Sequence, residues 1–127
     1  MVLQHPPRSL YAAFDRFPSP KGAATHIGWM ATTLFETTGR GLLYVLGGEG
    51  LPFYQIEEGL QPDEGIEILR FEESIPNFLE RTIAFGAALA DVLERYGESL
   101  EICHFRDPWS GTPILELPNR HYKTVYE

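Results

Sequence analysis

The sequence predicts an α/β fold, a doubly wound parallel sheet with helices on both faces. Three observations carry this. Short, nearly all-apolar runs such as Ser9–Phe14 and Leu42–Leu46 read as strands buried on both sides. Between them lie longer stretches in which apolar residues recur at three- and four-residue spacing, the period of a helix packed on a sheet. The two kinds of segment alternate along the chain, which argues for parallel strands joined by right-handed crossovers.

The first strand is Ser9-Leu10-Tyr11-Ala12-Ala13-Phe14. Asp15 to Gly22 then holds Pro18, Ser19, Pro20 and Gly22, which is turn chemistry. A helix follows with Ile27, Met30, Ala31 and Leu34 on one stripe and Gly39 as its stop. Leu42–Leu46 is the second strand, closed by Gly47, Gly48 and Gly50. Leu51 to Gly65, with its prolines and acids, reads as a long loop before a short third strand, Ile66–Leu69. Ser74 is the expected N-cap of the next helix, with Pro76 just inside its start. That helix carries Phe78, Leu79, Ile83, Leu89, Val92, Leu93 and Tyr96 on or near one stripe and ends at Gly97. Leu100–His104 is the fourth strand. Phe105–Gly111 leads into a short helical segment through Ile114, Leu115 and Leu117, and Tyr122–Tyr126 is the fifth strand. The expected strand order is 3-2-1-4-5, with the cleft where that order reverses.

Residues 1–127 fit one domain. A parallel strand is normally followed by a helix that covers the sheet. Lys123–Glu127 reads as a strand with nothing after it, so the expectation is the N-terminal part of a larger, two-domain enzyme. The uncovered last strand is then a surface for self-association. The net charge of −8 and the scatter of single Lys and Arg residues argue against a nucleic-acid partner. One cysteine, Cys103, excludes an internal disulfide. No signal peptide and no run of 18 apolar residues is found. The expected compartment is the cytoplasm, with the inner face of the membrane as the alternative.

In open α/β sheets, ligands bind outside the carboxyl ends of the strands. Two loops lie there. The first is Pro18-Ser19-Pro20-Lys21-Gly22-Ala23-Ala24-Thr25-His26. Gly22, Ala23 and Ala24 let a ligand approach the amides of a helix start, where an anion is favoured, and Lys21 adds a positive charge. A plain turn with a solvated lysine explains the same residues. The loop has neither the dinucleotide pattern nor a P-loop.

The second loop is His104-Phe105-Arg106-Asp107-Pro108-Trp109-Ser110-Gly111. Arg106 can hold a phosphate or carboxylate in a forked pair, Asp107 can orient a hydroxyl or the arginine, and Trp109 offers a flat face to a sugar ring. The competing account has Asp107 capping the short helix, Pro108 at its first position and Trp109 in the core, which leaves Arg106 unexplained. His5, His26 and His121 are too far apart in sequence to suggest a metal site, and Cys103 reads as a buried thiol.

Together the two loops resemble the N-terminal domain of family 4 glycosyltransferases, which have two facing Rossmann-like domains. The family's G-G-x-x-x-H turn is matched by Gly22 and His26, with Lys21 in place of the first glycine. Its H-x-H-[DE] run is matched by His104 and Asp107, with Arg106 where the second histidine stands. The order of elements agrees from about Ser9 to Glu127.

The resemblance implies a retaining transferase that moves a sugar from a nucleotide-sugar donor to an acceptor. This half would bind the sugar or lipid-linked acceptor, and the donor would sit mainly on a second domain. The isolated piece would be inactive, and neither a metal nor a cofactor is implied. His104, Arg106 and Asp107 would be catalytic. Lys21, Gly22, Ala23, His26, Trp109, Ser110 and Gly111 would contact substrate. Two other readings stay open: a non-catalytic Rossmann-like module that binds a nucleotide or another ligand, and a different two-domain Rossmann enzyme such as an epimerase of nucleotide sugars.

Overall fold

A computed structural model describes residues 3–58, 65–72 and 74–127. It is an α/β domain whose six-stranded, mostly parallel sheet carries helices on both faces. The strands are β1 (Ser9–Arg16), β2 (Gly41–Leu46), β3 (Tyr54–Glu58), β4 (Gly65–Phe71), β5 (Ile102–Phe105) and β6 (Lys123–Tyr126). The helices are α1 (Gly22–Thr38), α2 (Phe78–Tyr96) and α3 (Pro108–Glu116). The sheet order is β3-β4-β2-β1-β5-β6.

This corrects the five-strand order 3-2-1-4-5. A sixth strand, β3, adds to the edge beside β4 and is antiparallel to it. It lies inside the stretch read as one long loop, of which residues 59–64 fall outside the described residues. Five residues with two charges and a lone isoleucine give a weak strand signal. An edge strand needs only one packed face, and Tyr54 supplies it against the core.

The sheet forms because β1 and β2 are apolar on both sides and β4 is largely so, so both sides must be covered. On one side α1 brings Ile27, Ala31 and Phe35 onto Tyr11, Ala13, Leu43, Val45 and Ile68. The approach is close at Gly41, where a Cβ would lie 1.9 Å from the Phe35 ring. On the other side α2 and α3 bring Phe85, Leu89, Leu93 and Ile114 onto Leu10, Ala12, Leu42, Tyr44 and Leu69. The Tyr44 hydroxyl donates to the Phe85 carbonyl at 3.1 Å, tying β2 to α2.

Helix boundaries follow local chemistry. α1 ends at Gly39, whose φ of 93° suits glycine. The expected cap at Ser74 is displaced to Asn77, whose side chain accepts from the Glu80 amide at 3.0 Å. Pro76 therefore precedes the helix instead of opening it. An interior charge, Arg70, is 1% exposed and fully engaged: its Nε donates to the Phe17 carbonyl and its Nη1 to Pro52 and Gln55. It clamps the loop after β1 to the segment around Pro52 and Gln55. Among the described residues no helix is long and apolar enough to cross a membrane.

Candidate functional site

The alternation of side chains along β1 divides the cleft. Leu10, Ala12 and Phe14 pack on the α2/α3 side, while Tyr11 and Ala13 pack on the α1 side. β5 repeats the pattern. Cys103 and Phe105 join the α2/α3 side, and His104 stacks on Tyr11 with ring centroids 4.7 Å apart. Two residues further along on the α1 side stand Asp15, near the end of β1, and Arg106, just past the end of β5.

Four side chains surround the carboxylate of Glu127, just beyond β6, and Asp15 joins them through Arg106. Tyr11 donates its hydroxyl to Oε1, and His104 Nε2 lies 2.8 Å from the same oxygen. His26, in the second turn of α1, contacts Oε2 through Nε2. Arg106 Nε stands 3.8 Å from Oε2, and its Nη1 stands 3.7 Å from Asp15 Oδ2. The same Nη1 donates to the Ala23 carbonyl at 3.3 Å. Arg106 thus joins the two loops and touches the opening turn of α1. His104 is buried, whereas His26 and Arg106 are open to the cleft.

The two acids respond differently. Burial pushes the Glu127 carboxyl up, but hydrogen bonds from Tyr11, His26 and His104 outweigh it and hold the group below its ordinary value. Burial raises Asp15, and the nearby Arg106 offsets only part of this. Burial also raises the Tyr11 hydroxyl, and its bond to the Glu127 carboxylate adds to the rise. The cluster therefore holds an ionised acceptor, Glu127, beside a tyrosine kept as a donor.

The helix start is open. Gly22 is exposed, and a Cβ there would meet nothing within 4 Å. Lys21 is exposed at the N-cap of α1 and makes no side-chain cap. Its charge reaches Asp15 across the loop.

Other expected site residues are structural. Asp107 Oδ1 accepts from the Ser110 amide at 2.8 Å and caps α3, with Pro108 next in the helix. Its Oδ2 accepts from the Phe14 amide at 2.7 Å and anchors the end of β1. Asp107 thus anchors both the start of α3 and β1. Ser110 is wholly buried and Gly111 is buried against Phe105, where a Cβ would lie 2.5 Å from the ring. Neither is placed to touch a substrate. Trp109 is 38% exposed on the α2 side, 5.3 Å from Phe14 and 5.4 Å from Phe78 between ring centroids, away from the Glu127 cluster.

Three members of the cluster were not among the expected site residues. Tyr11 is hidden inside an apolar strand, and Asp15 opens a stretch whose sequence reads as a turn although the strand runs on to Arg16. Glu127 follows the last strand, and only the register of β6 beside β5 brings it to His104. The available signal was parity: Tyr11, Ala13 and Asp15 alternate on one strand, and strand parity assigns them a common side.

Among the described residues no group of three or more His, Cys, Asp or Glu side chains is placed to hold a metal ion. Cys103 is buried, and burial raises its thiol well above the usual range. No family model, curated protein or solved structure matches the chain.

Proposed function

We propose that this chain is the acceptor-side domain of a retaining glycosyltransferase, which takes a sugar from a nucleotide-sugar donor held mainly by a second domain. The observation that carries this reading is the meeting of the two loops. The turn containing Gly22 and His26 and the run containing His104 and Arg106 resemble the family's two motifs. They converge through the Arg106–Ala23 hydrogen bond and through Glu127, which both histidines contact.

The cluster suits a polyhydroxylated acceptor. Ionised Glu127 accepts from a sugar hydroxyl when one approaches along the open side of His26. Arg106 keeps donors free for an oxygen of the ligand, since its ion-pair distances are long and its side chain is 26% exposed. The first amides of α1 lie under the open space above Gly22 and favour an electronegative group there. His104, buried against Tyr11, positions Glu127.

The test is a titration of the isotope-labelled chain with a panel of methyl glycosides and nucleotide sugars, read from backbone amide shifts. Glycosides that move Gly22–His26 and His104–Asp107 support the reading. Nucleotides that bind tightly while glycosides do not would favour the non-catalytic ligand-binding module instead.

A further inference from the structure

A second concavity opens at the carboxyl ends of β1, β2 and β4, on the other side of β1. It is a cavity of about 740 Å³ with Leu46 and Phe71 in its wall, Glu49 and Glu72 as its carboxylates, and two arginines, Arg16 and Arg81. The volume suits a mono- or disaccharide-sized ligand.

Arg81 is the unusual member. Its guanidinium lies 5.6 Å from the Phe78 ring centroid and 5.8 Å from that of Phe14. Its Nη1 donates to the Ile75 carbonyl at 3.2 Å. Its Nε is buried and has no acceptor among the described residues. A buried donor without an acceptor is costly, and folded proteins keep few of them. With Nη1 anchored and the group held against the aromatic rings, Nε is left without an acceptor among the described residues, on the edge it shares with Nη2. That edge is the fork that takes two oxygens of one carboxylate or phosphate.

Arg16 ends β1, opposite Leu46 of β2, and is exposed. Its side chain is in no hydrogen bond or ion pair among the described residues, and its Cδ lies over Gly48, 3.9 Å from where a Cβ would sit. Glu49 and Glu72 set a limit on the ligand. Two carboxylates beside two arginines disfavour a polyanion such as a nucleoside diphosphate, while they accept well from sugar hydroxyls.

We infer that this cavity is a subsite for an acceptor sugar bearing one negative group, a carboxylate or a phosphate monoester, read by the fork of Arg81 with Arg16 at the rim. The inference rests on the acceptor-side reading above and names the class of acceptor. The Arg106 cluster then meets the hydroxyl end of the same ligand.

The test titrates the chain with glucuronate, glucose 6-phosphate, glucose and inorganic phosphate, following amides around Gly47–Gly48 and Arg81. One of the anionic sugars is expected to bind at least about tenfold tighter than glucose, the gain a charge-assisted hydrogen bond supports. Which of the two binds identifies the anionic group. Rising salt should weaken binding. Arg81→Lys, which keeps the charge and loses the fork, should weaken it about tenfold, and so should Arg16→Ala.

Arg16 is exposed, so its variant decides the matter should Arg81→Lys not fold. Arg106→Ala should leave the anionic preference intact. Equal affinity for glucose and both anionic sugars overturns the inference. So does inorganic phosphate binding as tightly as glucose 6-phosphate, or an unchanged preference in Arg16→Ala. If neutral glycosides still move Gly22–His26 and His104–Asp107 in that case, the acceptor-side reading stands without the anion subsite. If no sugar binds at either place, both fail.

Discussion

The two sides of β1 make opposite use of the same strand. On the α1 side, Tyr11 and Asp15 join His26, His104, Arg106 and Glu127 in a polar cluster centred on the Glu127 carboxylate. On the α2/α3 side, Phe14 meets Phe78, Phe85 and Trp109 in an aromatic group, with the Arg81 guanidinium 5.8 Å from the Phe14 centroid. One side gathers its ionisable groups around a single carboxylate, and the other sets an aromatic group beside the arginines of the second cavity. A strand that is buried on both faces for five residues splits its chemistry by parity only where it leaves the core.

The largest expected effects are on packing, and they compare the two sides directly. Gly41→Ala should destabilise the α1 side and Gly111→Ala the α2/α3 side, each by about 1–3 kcal/mol from overpacking. The first should cost more, because the added carbon would meet Phe35 at 1.9 Å against 2.5 Å for Phe105. Urea unfolding of both variants measures this. A larger loss at Gly111 would show that α3 is held more rigidly than α1.

Removing the Tyr11 hydroxyl should come next. Tyr11→Phe loses its bond to Glu127 at a cost of about 1 kcal/mol. The same change should raise the titration midpoint of the Glu127 carboxyl, followed by carbon-detected NMR, because one of its stabilising hydrogen bonds is gone.

The two acids should then separate by sign. Glu127 titrates below its ordinary value of 4.5, so its contribution is fully present above that value and fades as pH falls through the lowered one. Asp15 titrates above its ordinary 3.8, so its ionised form costs stability at neutral pH and that cost disappears as pH falls. Glu127→Gln should therefore lower Tm at pH 7 and lose its effect in acid. Asp15→Asn should leave Tm unchanged or higher at pH 7. Each change should stay within about 1 kcal/mol, as for partly exposed charges. Paired melts at pH 7 and pH 3 check both signs.

The smallest effect is expected at Ser110, whose buried hydroxyl has no partner among the described residues. Ser110→Ala should be neutral or slightly stabilising, by up to about 1 kcal/mol, and should not change ligand binding.

The parallel core was legible in the sequence because its strands are apolar on both faces and its helices have clean stripes. The edge strand β3 was not, because five residues packed on one face leave little pattern. The nearness of the two loops was legible: the run holding His104 and Arg106 does meet the turn holding Lys21, Gly22, Ala23 and His26 at one end of the sheet. Asp107, Ser110 and Gly111 were drawn in by adjacency to that run, yet capping and close packing account for them. Glu127 and Tyr11 lie 116 positions apart, and a single chain offers no local signal for so distant a pair. The strand pairing β1–β5–β6 supplies it.

The central claim is that Arg106 serves a ligand and not the fold. Arg106→Lys and Arg106→Ala, each measured for glycoside affinity and for Tm on the same preparation, test it most directly. The account predicts that affinity falls about tenfold for Lys, which keeps the charge but loses the fork, and further for Ala. Tm should stay near that of the parent, because ion pairs at 3.7 and 3.8 Å on a partly exposed side chain add little. A fall in Tm for both variants with unchanged affinity would make Arg106 a structural tie between α1 and β5 and would contradict the account.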